Sequence, residues 1–247
     1  NRINAWVSEN TDGMIDEIIN ELNPATVMCL VNAVAFDAEW RSVYTDSDVW
    51  KSTFTTEAGE ERTVEMMHGN EGVYLDDGSA TGFMKYYADY EYAFVALLPN
   101  EGVSIADYVA SLSGEALLAV LESAQYQTVY AAIPKWELSY SKTLNGALQA
   151  MGITDAFNVS GADFSNLFSP VPEDPVYIDT VLQKTFLAVD EEGTKAGAAT
   201  IVYMEAGAAL GQPEPKSVIL NRPFLYMIVD CQTYLPLFIG AATDIGA

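Results

Sequence analysis

Strand-like runs dominate this chain and do not alternate with helices, and that order constrains the fold more than any other feature. Segments 73–75, 81–87 and 92–98 are rich in aromatic and aliphatic residues and are separated by Asp-Gly, Asp-Tyr and Pro-Asn punctuation, as short strands joined by turns are. Strands are also expected over 127–133, 136–138, 176–190, 217–221, 224–231 and 235–242. The apolar run from Thr26 to Phe36 reads as a buried central strand. Helical patterns are confined to 2–22 (broken at Thr11-Asp12-Gly13), to 103–125, and to 143–151, where Gly152 supplies a C-cap. Without βαβ alternation, the expected class is α+β with antiparallel or mixed sheets.

Charge and residue usage then exclude whole classes of function. Eleven Lys and Arg against 35 Asp and Glu give a net charge of −24. That repels phosphate backbones and anionic lipid, so neither nucleic acid nor a membrane surface is an expected partner. No apolar run approaches the ~18 residues of a membrane span. One histidine cannot build a histidine-rich metal site, so no metal or cofactor is expected. A nucleophile–histidine pair could use only His68, which sits in the polar stretch Met67-His68-Gly69-Asn70-Glu71-Gly72 and reads as a surface-loop residue. An enzyme is therefore not expected. Cys29 and Cys231 lie in apolar runs and read as small buried free thiols. Asn158-Val159-Ser160 is a glycosylation sequon that carries meaning only in a secreted eukaryotic protein.

The informative segment follows the strand expected over 176–190. In Glu191-Glu192-Gly193-Thr194-Lys195-Ala196-Gly197-Ala198-Ala199-Thr200-Ile201-Val202, the even positions from Thr194 onward are small at first and larger later. All could share one buried face of an extended chain. The segment could be a loop in one state and a strand in another. Ala206 to Pro215 follows, small and proline-bounded, as an exposed, protease-accessible tip would be. The plainer alternative is an ordinary strand followed by an Ala/Gly linker.

The residues around this segment resemble those of the serpin family. Leu30-Val31-Asn32-Ala33-Val34-Ala35-Phe36 with Glu39-Trp40 resembles the third strand of the family's main sheet. Ile133-Pro134-Lys135-Trp136-Glu137-Leu138, the stretch Leu148 to Phe157, Val189-Asp190-Glu191-Glu192-Gly193-Thr194, Asn221-Arg222-Pro223-Phe224 and Phe238-Ile239-Gly240 resemble later signatures in the family's order. The resemblance implies a single serpin domain over 1–247 with a reactive-centre loop at about 191–216. It also implies that the first helices and the first two strands of the main sheet have no counterpart here, as in an N-terminally truncated fragment. The acidic, cysteine-poor composition looks more like a microbial serpin than a vertebrate plasma one.

What the resemblance implies for function is suicide inhibition. A serine protease attacks the loop and is held as an acyl-enzyme, while the freed loop enters the main sheet as a new strand. The hinge would be Glu191, Glu192, Gly193, Thr194, Ala196, Gly197, Ala198 and Ala199. Lys195 departs from the acidic residue usual there. Counting from Gly193 puts the cut between Gly207 and Ala208, with the bonds at Ala208-Ala209 and Ala209-Leu210 as alternatives. These residues are small or aliphatic and no basic residue lies between Lys195 and Lys216. The expected partner is thus an elastase-like protease rather than a trypsin-like one, with a subtilisin-like or cysteine protease as the other options. Asn32 and Trp40 match positions where the sheet opens. Lys135 and Glu191 match a pair expected to bridge at its top. Gln183 stands where many relatives carry histidine. An extracellular or cell-surface location and a full-length monomer are implied, and the alternative function is a non-inhibitory carrier, chaperone or storage serpin.

Overall fold

The computed structural model describes residues 2–21, 26, 28–194 and 214–245, and these fall into two compact units. The first comprises 1–36 and 137–187, the second 37–136 and 188–247.

In the first unit, helix α1 (Arg2–Asn10) buries Val7. Thr11 ends it: its hydroxyl donates to the Val7 carbonyl and accepts from the Ile15 amide. Asp12 and Gly13 then take positive φ. The helix expected to continue to residue 22 does not. Ile15 and Ile19 are buried, but residues 14–20 form bends, tied down by Asn4, whose Oδ1 accepts from the Ile18 and Ile19 amides. A four-residue spacing fits one face of an extended segment as well as one face of a helix.

Strand β1 (Cys29–Val34) pairs in parallel with β9 (Thr180–Val189), with Asn32 opposite Gln183. The buried central strand expected over 26–36 is shorter and half-exposed, with Leu30 44% exposed. Among the described residues β9 is its only strand partner. Strand β8 (Trp136–Thr143) also pairs with β9, and α4 (Asn145–Ala150) follows it. Cys29 and Cys231 are free and half-buried.

The second unit is built on β3 (Val49–Thr55), β4 (Glu61–Asp76), β5 (Ala80–Tyr86), β6 (Tyr92–Pro99), β7 (Gln125–Pro134), β11 (Lys216–Ile219), β12 (Phe224–Asp230) and β13 (Pro236–Ala242). They form an eight-stranded sheet in the order β11-β7-β4-β5-β6-β12-β13, with β3 beside β4. Helices α2 (Ile105–Ser111) and α3 (Gly114–Glu122), N-capped by Ser104 and Ser113, cover one face. There Ile105, Tyr108, Val120 and Leu121 pack on Val95, Leu97, Leu225 and Met227. Phe94, Trp136, Phe224 and Tyr226 form a cluster of rings. Strands β6 and β12 are buried nearly throughout, which explains runs of apolar residues rather than alternation.

His68 is not in a loop. It lies within β4, opposite Ala132 of β7, and stacks on Trp50 at 3.6 Å between ring centres. The ladder to β7 holds this polar, glycine-containing stretch extended whatever its side chains. Burial lowers the imidazole pKa.

Candidate functional site

Two short strands mark the site in the second unit. Strand β10 (Gly193–Thr194) lies between β2 (Ala38–Glu39) and the last residue of β9. Thr194 stands opposite Ala38 on one side and Val189 on the other, and Gly193 opposite Glu39. The turn into β10 is made by Asp190, whose Oδ1 accepts from the Glu192 and Gly193 amides at 2.9 and 3.0 Å.

Segment 40–44 holds that turn from outside. The Trp40 indole N–H donates to the Asp190 carbonyl at 2.9 Å. The Tyr44 amide donates to the Glu191 carbonyl at 3.0 Å, and the Trp40 amide to the Glu192 carbonyl at 2.8 Å. Three consecutive carbonyls are thus taken by two residues from outside, while the Asp190 carboxylate holds the turn from within.

The two residues of β10 fit only because they are small. A Cβ at Gly193 would drive into the Ala38 carbonyl oxygen. Thr194 is fully buried, and its hydroxyl lies 2.6 Å from the Tyr87 hydroxyl. Burial pushes the Tyr87 phenol far up, with the Thr194 hydrogen bond acting against it. The phenol therefore stays neutral, and either hydroxyl can donate in this bond. Trp40, 1% exposed, stacks on Tyr87 at 4.5 Å and meets Phe94 edge-on at 5.9 Å. Such ring pairs add to the area they bury.

Lys135 Nζ sits 2.7 Å from Glu191 Oε1 and 3.5 Å from Glu65 Oε2. Burial raises the Glu191 carboxyl pKa, but the Lys135 hydrogen bond and charge outweigh it and leave it lowered. The same hydrogen bond raises the lysine's. Both groups are partly solvated, so the bridge is worth ~0–1 kcal/mol.

Of the residues singled out in the sequence, the structure brings Trp40, Lys135, Glu191, Glu192, Gly193 and Thr194 together. Asn32 and Gln183 face each other in the first unit, Asn32 exposed and Gln183 half-buried. Ala196, Gly197, Ala198, Ala199, Gly207, Ala208, Ala209 and Leu210 lie outside the described residues. The sequence reading missed Tyr87, Tyr44 and Lys85, and quoted Asp190 within the hinge signature without giving it a role. A lysine inside the apolar run Phe83-Met84-Lys85-Tyr86-Tyr87 was the one available signal. Among the described residues no group of three or more His, Cys, Asp or Glu could hold a metal ion, and no helix is long and apolar enough to cross a membrane.

A fold of this kind, with a seat between two strands for the start of a small-residue segment, is that of the serpins. The pattern of the family described as Serpin (serine protease inhibitor) matches residues 1–245, and the chain belongs to it. The family so described is one of inhibitors rather than enzymes. An uncharacterized serpin-like protein of Thermococcus kodakarensis is 33% identical over 239 residues, 96% of this chain and 54% of its own length. A leukocyte elastase inhibitor of Xenopus laevis is 29% identical over 248 residues, 96% of this chain and 64% of its own. The thermophilic serpin Tengpin in its native state superposes with a TM-score of 0.89 at 42% identity, over 99% of this chain and 62% of that one. In its latent state it superposes with 0.75 at 32% identity, over 99% and 64%. The chain spans less than two thirds of the length of these relatives.

Proposed function

We propose that the full-length protein is a suicide inhibitor of a serine protease, extracellular and monomeric, whose cleaved loop enters the main sheet as a strand. The observation that carries this reading is the seating of Gly193 and Thr194 between β2 and the end of β9. The chain already enters the sheet at the residues preceding the small-residue segment, and a glycine-only contact and a buried threonine hydroxyl hold it there. Direct pairing of Asn32 with Gln183 supports a starting state with no inserted strand between β1 and β9. The higher TM-score against native than against latent Tengpin agrees with that.

The energetics favour the step. Insertion supplies a dozen or so backbone hydrogen bonds at a net ~1 kcal/mol each. A strand from Thr194 to Gly207 would carry the protease roughly 45 Å at ~3.3 Å per residue. The small and aliphatic residues at 207–210 suit the shallow specificity pocket of an elastase-like enzyme. Similarity to a leukocyte elastase inhibitor points the same way.

The test is to mix the full-length protein with an elastase-like serine protease and run a denaturing gel. A band at the summed mass that survives boiling is expected, with a released C-terminal peptide beginning at Ala208, Ala209 or Leu210. Clean cleavage by every small-pocket protease tried, with no such band, would favour the non-inhibitory alternative.

Gln183 gives a second prediction. It is half-buried on β9 opposite Asn32, where insertion would part the strands. Gln183→His places there a group that titrates at pH ~6–7. The insertion rate of this variant, followed by the kinetics of complex formation, should depend on pH in that window, unlike that of the natural protein. An unchanged rate would remove Gln183 from the opening step.

A further inference from the structure

A charged pair, its lysine buried and its carboxylate largely so, lies beneath the segment that holds the turn. Lys85, on β5, is 2% exposed. Its ammonium donates to Glu71 Oε1 on β4 at 3.0 Å and to the Ser42 carbonyl at 2.9 Å. It also lies 4.3 Å from the centre of the Tyr44 ring and 5.3 Å from that of Trp40. One cation therefore touches Trp40, Ser42 and Tyr44. Trp40 and Tyr44 are the residues that take the carbonyls of Asp190, Glu191 and Glu192. A buried ion pair of this kind is weak evidence for stability, because desolvation offsets its attraction. Its geometry has a more specific consequence: the ammonium ties the Ser42 carbonyl and the Trp40 and Tyr44 rings to the β4–β5 ladder, while Arg41 turns outward onto the Tyr90 ring at 4.1 Å.

We propose that Lys85 and Glu71 are a positioning pair for loop insertion, setting through Trp40 and Tyr44 how firmly Gly193 and Thr194 are seated. The proposal rests on the inhibitory reading above and adds a control over its first step.

The pair also gives the seat a pH dependence of definite sign. The groups facing Glu71 are Lys85 from β5 and the Tyr44 phenol from segment 40–44, with Asp48 acting on that phenol. The residue opposite Glu71 on β7 is Val129, which carries no charge. Burial raises the Glu71 carboxyl pKa, and Lys85 offsets this only in part. A raised carboxyl pKa means that the closed seat holds a proton more readily than an opened one, in which Glu71 meets water. Opening is therefore disfavoured as pH falls through the pKa of the buried carboxyl, and favoured above it.

Hydrogen exchange in the full-length protein tests this, comparing a peptide that spans Gly193 and Thr194 with one from β12 as the measure of global opening. After correction for intrinsic exchange, seat opening should become rarer as the pH is lowered from ~8 through the titration of the Glu71 carboxyl, and Glu71→Gln should flatten that profile. Lys85→Met should speed exchange at 193–194 by ~10-fold or more, with β12 changed less than ~2-fold. The double variant Lys85→Met/Glu71→Leu should return it to within ~3-fold of the natural protein. Equal acceleration of both peptides, or an unchanged seat in Lys85→Met, would overturn the proposal. If Lys85→Met does not fold, the pH profiles of the natural protein and Glu71→Gln decide it, and two superimposable profiles would refute it. Protease trapping scored on the same samples separates the two readings. Trapping with a seat insensitive to these variants sinks only the pair's role, whereas a responsive seat without trapping sinks only the inhibitor.

Discussion

Thr194→Arg is expected to turn the protein from an inhibitor of its protease into a substrate. Thr194 has no exposed surface, its hydroxyl sits 2.6 Å from the Tyr87 hydroxyl, and its backbone lies between Ala38 and Val189. A guanidinium has no room in that contact, and burying a charge without a built partner costs several kcal/mol. The arginine is therefore expected to leave the seat in the intact protein, so that the cost falls on its entry after cleavage, and each ~1.4 kcal/mol added to that barrier slows the step tenfold. Insertion competes with hydrolysis of the acyl-enzyme, so a delay of that size lets hydrolysis win. Titration against the protease should show the inhibitor consumed per enzyme trapped rising at least ~10-fold, with the summed-mass band replaced by cleaved product. Thr194→Ser keeps the hydroxyl and should trap normally. An Arg variant that traps as well as the natural protein would remove Thr194 from the inserting strand.

Trp40→Ala is expected to be the most destabilising single change at the seat. The ring is 1% exposed, stacked on Tyr87 and edge-on to Phe94, and its N–H takes the Asp190 carbonyl. Truncating a buried tryptophan costs ~3–5 kcal/mol, a drop in Tm on the order of 10 °C for a chain of this size. Trp40→Phe keeps a stacking ring and loses the hydrogen bond, so it should cost only ~1–3 kcal/mol, set by the carbonyl left without a donor. Denaturation of the three proteins separates packing from hydrogen bonding. Equal losses in both variants would mean that the Asp190 contact dominates, contrary to this account.

The parts of the fold that local pattern governs were legible in the sequence. Strands β5, β6, β12 and β13 lie where turn residues and apolar runs place them, and Ser104 and Ser113 cap the helices inside the helical segment expected over 103–125. Elements whose state is decided by distant neighbours were less so. The Ile15 and Ile19 spacing is ambiguous between helix and extended chain until Asn4 binds the backbone at 18 and 19. The stretch from His68 to Gly72 reads as a loop until β7 pairs with it. At the site, Trp40, Lys135, Glu191, Gly193 and Thr194 were reached through family resemblance. Tyr87 and Lys85 were not, because the chain gives no local sign that residue 87 meets residue 194, or that a lysine on β5 lies under Trp40.

The central claim is that a cut loop becomes a strand of the sheet, and the most direct measurement of it is thermal unfolding of the full-length protein before and after cleavage within 195–215 by a protease it does not trap. Insertion should raise Tm by ~10 °C or more, since a dozen or so added backbone hydrogen bonds contribute ~1 kcal/mol each and each is worth roughly 1–2 °C in a domain larger than ~250 residues. A cleaved protein that melts at or below the temperature of the intact one would contradict the account.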